Sequence, residues 1–109
     1  MAYNKETPKK YDVVIIGGLG HVGLPLGLIL AKKGLKVCLY DSNTKNAALV
    51  QKGVMPFIEY GAEPILKKLL KKKDALTITS DIQKVSCARY VIVAIGTPVD
   101  EYLNPKVRS

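Results

Sequence analysis

Val13-Val14-Ile15-Ile16-Gly17-Gly18-Leu19-Gly20-His21-Val22-Gly23 is a β-branched run that breaks into glycines and then resumes as an apolar helical pattern. Its embedded spacing is Gly18-x-Gly20-x-x-Gly23. Each glycine of the triplet answers a separate need. Gly18 is expected to turn the chain sharply out of a strand. Gly20 lacks a side chain, so the backbone can approach a pyrophosphate. Gly23 lets the first helix sit close against the strand. The N–H groups at that helix start lack intrahelical partners and lie at the positive end of the helix dipole, an arrangement suited to an anion.

A glycine triplet of this spacing is weak evidence by itself, and its surroundings sharpen it. A strand precedes it, a helix follows it, and a second strand, Lys36-Val-Cys-Leu-Tyr40, ends in Asp41. Asp41 lies 18 residues past Gly23. That is close to the separation of about 20 expected of the carboxylate that grips an adenosine ribose. Such a carboxylate favours the free 2′-hydroxyl of NAD and repels the 2′-phosphate of NADP. Lys45, in the first turn of the next helix, can reach the same ribose or stay solvated.

The rest of the chain fits the same architecture. Tyr11 to Ile16 reads as a first strand, apolar enough to be buried on both faces of a parallel sheet. A helix is expected from about His21 to Lys33, with Pro25 in its first turn, Leu24, Leu28 and Ala31 on its apolar stripe, Ile29 beside them, and Gly34 as a left-handed cap. His21 is expected to fill the first turn, with contact to the phosphates as the other reading. Ser42 or Asn43 can cap a helix over Thr44–Lys52. Gly53 to Gly61 is an irregular loop whose spacing implies no chemistry. Glu63 to Lys73 reads as a helix with Ile65, Leu66, Leu69 and Leu70 on one side, Ala75 to Thr79 as a third strand, and Ser80 or Asp81 as the cap of a helical turn through Val85. Arg89 to Ile95 is a fourth apolar strand ending in Gly96-Thr97-Pro98, at the edge where open α/β sheets bind ligands. The expected fold is a Rossmann-type parallel α/β sheet of order 3-2-1-4 with an incomplete second half.

At 109 residues, with 48% apolar and 24% charged residues, the chain is one globular domain at most. Residues 1–10 read as a loose leader and residues 11–109 as a partial dinucleotide-binding domain with no substrate domain. No apolar stretch reaches the ~18 residues of a membrane span, and a cytoplasmic location is expected. The net charge of +8 comes from 17 Lys and Arg against 9 Asp and Glu. It permits nucleic-acid binding, but no aromatics interleave with Lys67-Lys68 or Lys71-Lys72-Lys73 to stack on bases, so a solvated face is the reading and no nucleic-acid partner is expected. Cys38 and Cys87 read as buried free thiols. His21 is the only histidine, which argues against a zinc site.

Four segments in this order, Ile16-Gly-Gly-Leu-Gly-His-Val-Gly-Leu-Pro-Leu26, Tyr40-Asp41, Pro56-Phe-Ile-Glu-Tyr-Gly61 and Ala94-Ile-Gly-Thr-Pro98, resemble the N-terminal NAD-binding domain of the UDP-glucose/GDP-mannose dehydrogenase family. The UDP-N-acetylmannosamine dehydrogenase branch is a plausible subgroup. The resemblance covers residues 11–107, only the first part of a family member, so the chain is expected to be truncated. It implies NAD as cofactor and, for a full-length protein, two-step oxidation of a nucleotide sugar's C6 alcohol to a carboxylate through a cysteine nucleophile. It further implies that Gly18, Gly20 and Gly23 form the pyrophosphate loop with Leu19 inside it, that His21 and Val22 offer it backbone N–H groups, that Asp41 binds the adenosine ribose, and that Thr97, with Gly96 before it, lies against the cofactor on the nicotinamide side. His21 stands where the family usually has Tyr or Phe, and Gly96 where a proline is common. Neither cysteine matches the family's downstream nucleophile, so no catalytic residue is expected here. A free-standing dinucleotide-binding regulatory module is the alternative. A homo-oligomer is expected, through Arg89–Ile95 or the first helix, because an apolar edge strand invites pairing with another copy.

Overall fold

The computed structural model describes residues 9–94. The expectations for residues 1–8, for Ile95 and for Gly96-Thr97-Pro98 lie outside them.

β1 (Tyr11–Ile16) leads through the glycine loop into α1 (Gly23–Lys32), then β2 (Val37–Tyr40), α2 (Thr44–Gln51), α3 (Ala62–Leu70), β3 (Leu76–Thr79), a 3-10 helix over Ile82–Cys87, and β4 (Ala88–Val93). The strands form one sheet in the order β3-β2-β1-β4, with all neighbours parallel. Val13 lies between Val37 of β2 and Tyr90 of β4, and Val37 lies opposite Leu76 of β3. This is the expected order. It follows from the pattern itself, since apolar strands separated by helices pair in parallel through right-handed crossovers.

The main core lies between the sheet and the helices. Ile15, Leu19, Leu24, Val37, Leu39, Val50 and Leu66 are fully buried there. Each contributes about 1.5–3 kcal/mol by leaving water. Tyr11, Val14 and Cys38 occupy the opposite face, beneath Val85 and Cys87. On α1 the buried set is Gly23, Leu24, Gly27, Leu28 and Ala31, whereas Ile29 points outward and is 56% exposed. Gly27 is small because a Cβ there would press on the Leu39 side chain and draw near Ile15.

Element ends depart from the expected ones for local reasons. α1 begins at Gly23 rather than His21, because the chain first makes a tight turn, with Gly20 N–H donating to the Gly17 carbonyl at 3.2 Å. The bond from Leu24 N–H to the Gly20 carbonyl then closes the first helical turn. α3 stops at Leu70, short of the expected Lys73. The N–H groups of Lys71 and Lys72 reach back only three residues, to Lys68 and Leu69, and Asp74 takes a left-handed φ of 61° before β3. Asn43 rather than Ser42 caps α2, its side chain accepting from Asn46 N–H at 2.9 Å. Asp81 rather than Ser80 caps the 3-10 helix, which runs two residues past Val85.

Candidate functional site

The glycine loop crosses the carboxyl edge of the sheet between β1 and β2. The N–H groups of Gly17 and Gly18 both donate to the Tyr40 carbonyl, at 2.9 and 3.0 Å. The left-handed residue of the turn is Gly17, with φ +82°, and not Gly18. Gly18 is needed for a different reason. A Cβ there would lie 2.8 Å from the Ile15 carbonyl oxygen and 2.9 Å from Leu39 Cα, both backbone atoms. Gly23 is equally constrained, since a Cβ would run into the Gly17 carbonyl. Gly20 differs from both: a Cβ there would meet only the Gly17 oxygen, at 3.6 Å. Among the described residues nothing therefore demands glycine at position 20, and the open space above it fits close approach of a ligand.

Asp41 follows β2 and turns back onto this loop. Its Oδ2 accepts the N–H of Leu19 at 3.0 Å and its Oδ1 accepts the N–H of Asn43 at 3.0 Å. The Leu19 carbonyl accepts from Asn46 Nδ2 at 3.5 Å, and the Leu19 side chain is fully buried. Leu19 is thus held at its N–H and its carbonyl by two residues that follow β2, and at its side chain by the core. Ile16, Gly17, Gly20, Tyr40, Asp41, Ser42 and Ala94 line a cleft of about 310 Å³ beside the carboxylate.

Beyond the loop, α1 opens without a side-chain cap. Among the described residues, the N–H groups of His21, Val22 and Gly23 have no acceptor. Val22 is 66% exposed. His21 does not fill the helix turn: its ring is exposed and stacked on Phe57, with centroids 4.2 Å apart. Lys45 is exposed in the first turn of α2 and makes no hydrogen bond or ion pair among the described residues. The fold therefore gathers Gly18, Leu19, Gly20, His21, Val22, Gly23 and Asp41 at one edge and leaves Lys45 at the margin. Sequence spacing misses Gly17, Asn46 and Phe57. Asn46 lies three residues after its cap, where an ordinary helix position would also fit, and Phe57 comes from a loop without periodicity.

These features test whether a dinucleotide fits: three donors at a helix start that are unpaired among the described residues, an open position at Gly20, and a carboxylate beside a cleft. All three suit its pyrophosphate and ribose. The family described as the UDP-glucose/GDP-mannose dehydrogenase family, NAD binding domain, matches residues 11–108. The chain belongs to this family. As a UDP-glucose/GDP-mannose dehydrogenase family NAD-binding domain, it takes NAD as its cofactor.

Several longer proteins are similar to it. It is 33% identical over 92 residues to a UDP-N-acetyl-D-glucosamine 6-dehydrogenase of Pseudomonas aeruginosa, covering 84% of this chain and 20% of that protein. It is 27% identical to a UDP-N-acetyl-D-mannosamine dehydrogenase of Pyrococcus horikoshii, over 88% of this chain and 24% of that one. A ternary-complex structure of GDP-mannose dehydrogenase from Pseudomonas aeruginosa superposes with a TM-score of 0.73 at 28% identity, over 79% of this chain and 20% of the other. The chain thus spans about 20% of the length of the first of these curated relatives. Among the described residues, no helix of this family member is long and apolar enough to cross a membrane.

Proposed function

We propose that this chain is the NAD-binding part of a nucleotide-sugar 6-dehydrogenase. In the whole protein it would present NAD to a sugar whose C6 alcohol is oxidised to a carboxylate. The unpartnered N–H groups of His21, Val22 and Gly23 beside Asp41 carry this reading, because they match the two polar features of a dinucleotide, its pyrophosphate and its ribose diol. Gly18, Leu19, Gly20, His21, Val22 and Gly23 form the phosphate side of the site. Asp41 takes the ribose, with Lys45 at its rim, and Gly96 and Thr97 belong to the nicotinamide side. Residues 11–109 act as one unit in this role. The domain by itself binds and performs no chemistry. Cys38 is fully buried and its thiol is pushed up to about 11, chiefly by that burial, so it is no nucleophile.

The deciding experiment is calorimetric titration with NAD and NADP of the wild-type chain and of Asp41→Ala. Binding of NAD that weakens on substitution, with NADP poorer in the wild type, supports the reading. Equal binding of both cofactors by both proteins refutes the role of Asp41, and absence of binding refutes the site.

Self-association through β4 is part of the same proposal. β4 is an edge strand among the described residues, with Tyr90 67%, Val91 45% and Val93 64% exposed. Such an edge can pair with a second copy. A monomer by sedimentation at tens of micromolar, unchanged by Val91→Lys, would dismiss it.

A further inference from the structure

The pyrophosphate loop meets the segment after α2 through one aromatic contact. The imidazole of His21 lies on the ring of Phe57, with centroids 4.2 Å apart and planes inclined by 22°. Phe57 is half-buried and packs against the main core. Its segment is fastened to α3 on both sides of it. Glu63 Oε2 accepts the N–H of Met55 at 2.9 Å, Lys67 Nζ donates to the Gly53 carbonyl at 3.0 Å, and Ala62 N–H donates to the Glu59 carbonyl at 3.1 Å. Phe57 is thus a fixed platform. His21, by contrast, is exposed, and among the described residues its ring nitrogens have no hydrogen-bond partner.

We propose that the His21 imidazole donates a hydrogen bond to the pyrophosphate of the bound dinucleotide, and that Phe57 is the positioning residue that holds the ring for it. The inference rests on the dinucleotide reading above. His21 is the residue whose own N–H, with those of Val22 and Gly23, lacks an acceptor, so its side chain springs from the place where the anion belongs. A neutral imidazole always carries one N–H, so no change of protonation is needed. A bond to a charged phosphate oxygen is stronger than one between neutral groups. An exposed side chain samples several rotamers and loses that freedom on binding. Stacking on a fixed ring removes part of the loss beforehand.

The test compares NAD, by calorimetry, with adenosine, by chemical-shift titration, because adenosine carries the same base and ribose without phosphates. His21→Phe keeps the stack and removes the nitrogens. Phe57→Leu keeps apolar bulk and removes the aromatic platform, and Phe57→Tyr restores it. His21→Phe is expected to weaken NAD by about tenfold to a hundredfold, the range for one charge-assisted hydrogen bond. Phe57→Leu should weaken it by a smaller factor, Phe57→Tyr should bind as the wild type, and His21→Phe/Phe57→Leu should be no weaker than His21→Phe alone. Adenosine affinity should stay constant throughout. NAD binding by His21→Phe equal to that of the wild type overturns the proposal and leaves the dinucleotide site standing. Parallel loss of adenosine and NAD also overturns it, since the stack would then merely support the loop. A wild-type chain that binds no NAD removes the underlying site, and the proposal with it.

Discussion

Asp41 Oδ2 accepts the N–H of Leu19 at 3.0 Å, so the carboxylate that lines the cleft beside Gly20 also ties the glycine loop to the end of β2. The second oxygen holds Asn43 N–H at the start of α2. Each carboxylate oxygen keeps a further lone pair for a ribose hydroxyl. Asp41→Asn separates the two roles in part. The amide offers one acceptor oxygen, and its NH₂ group then faces a backbone donor. We expect a loss of about 1–2 kcal/mol in chemical denaturation, the scale of one backbone donor left unsatisfied. The preference for NAD over NADP should shrink as well, because the repelling charge is gone. Unchanged selectivity in paired calorimetric titrations would show that the carboxylate serves the loop alone.

The three glycines of the fingerprint should respond differently to alanine. At Gly23 the new Cβ meets the Gly17 carbonyl, and at Gly18 it meets backbone of β1 and β2. Neither neighbour can swing aside as a side-chain tip would. Both variants should lose several kcal/mol, or about the 1–3 kcal/mol typical of overpacking at the least. Gly20→Ala should fold almost as the wild type, since its nearest contact is an ordinary 3.6 Å. Its NAD affinity should fall tenfold or more, on the order of 1.4 kcal/mol. Thermal melts alongside NAD titrations check both halves of the contrast.

The sheet order and every strand were legible because β-branched runs, glycine breaks and helical stripes agree in this chain. That Asp41 lies against the glycine loop was legible from its distance to Gly23. What escaped depends on contacts between segments far apart. Gly17 and Gly18 are identical in sequence, and only the path of the Tyr40 carbonyl, which takes both their N–H groups, decides which adopts positive φ. Asn46 looks like any polar helix residue until α2 is laid beside Leu19. The 53–61 loop has no period to read, because its order comes from Glu63 and Lys67 on α3. β4 carries the same apolar pattern as β1, yet as an edge strand among the described residues it leaves Tyr90, Val91 and Val93 exposed.

Glu63 links the 53–61 loop to α3. The Met55 N–H first, and then Lys67 at 3.5 Å, hold the Glu63 carboxyl below the usual carboxylate range. A group with a lowered native pKa contributes stability above its unfolded pKa and loses it as the pH falls through the native one. The loop should therefore loosen in acid. Amide exchange at Met55, read by mass spectrometry or NMR, should quicken in Glu63→Ala at neutral pH, while β1 amides stay protected. Equal protection of Met55 in both proteins would mean that core packing of Phe57 alone holds the loop.

Cys38 sets a limit at the alkaline end. Its thiol is fully buried beside Tyr11, and burial raises it from its ordinary value near 9 to about 11. Burial raises the phenol of Tyr11 as well, with Cys38 adding to the effect. Between pH 9 and pH 11 the native state keeps a thiol proton that the unfolded chain gives up. Stability is complete below the unfolded value and falls as the pH rises through that window, by roughly 2–3 kcal/mol for a shift of this size. Cys38→Ala removes the titrating thiol and should flatten the decline over the same range, at the cost of a smaller core contact. The same burial predicts that a thiol reagent labels half-buried Cys87 first and reaches Cys38 only at the rate of opening. Denaturation midpoints of the wild type and Cys38→Ala across the alkaline range measure the first effect. A parallel fall in both proteins would place the alkaline sensitivity on Tyr11 instead.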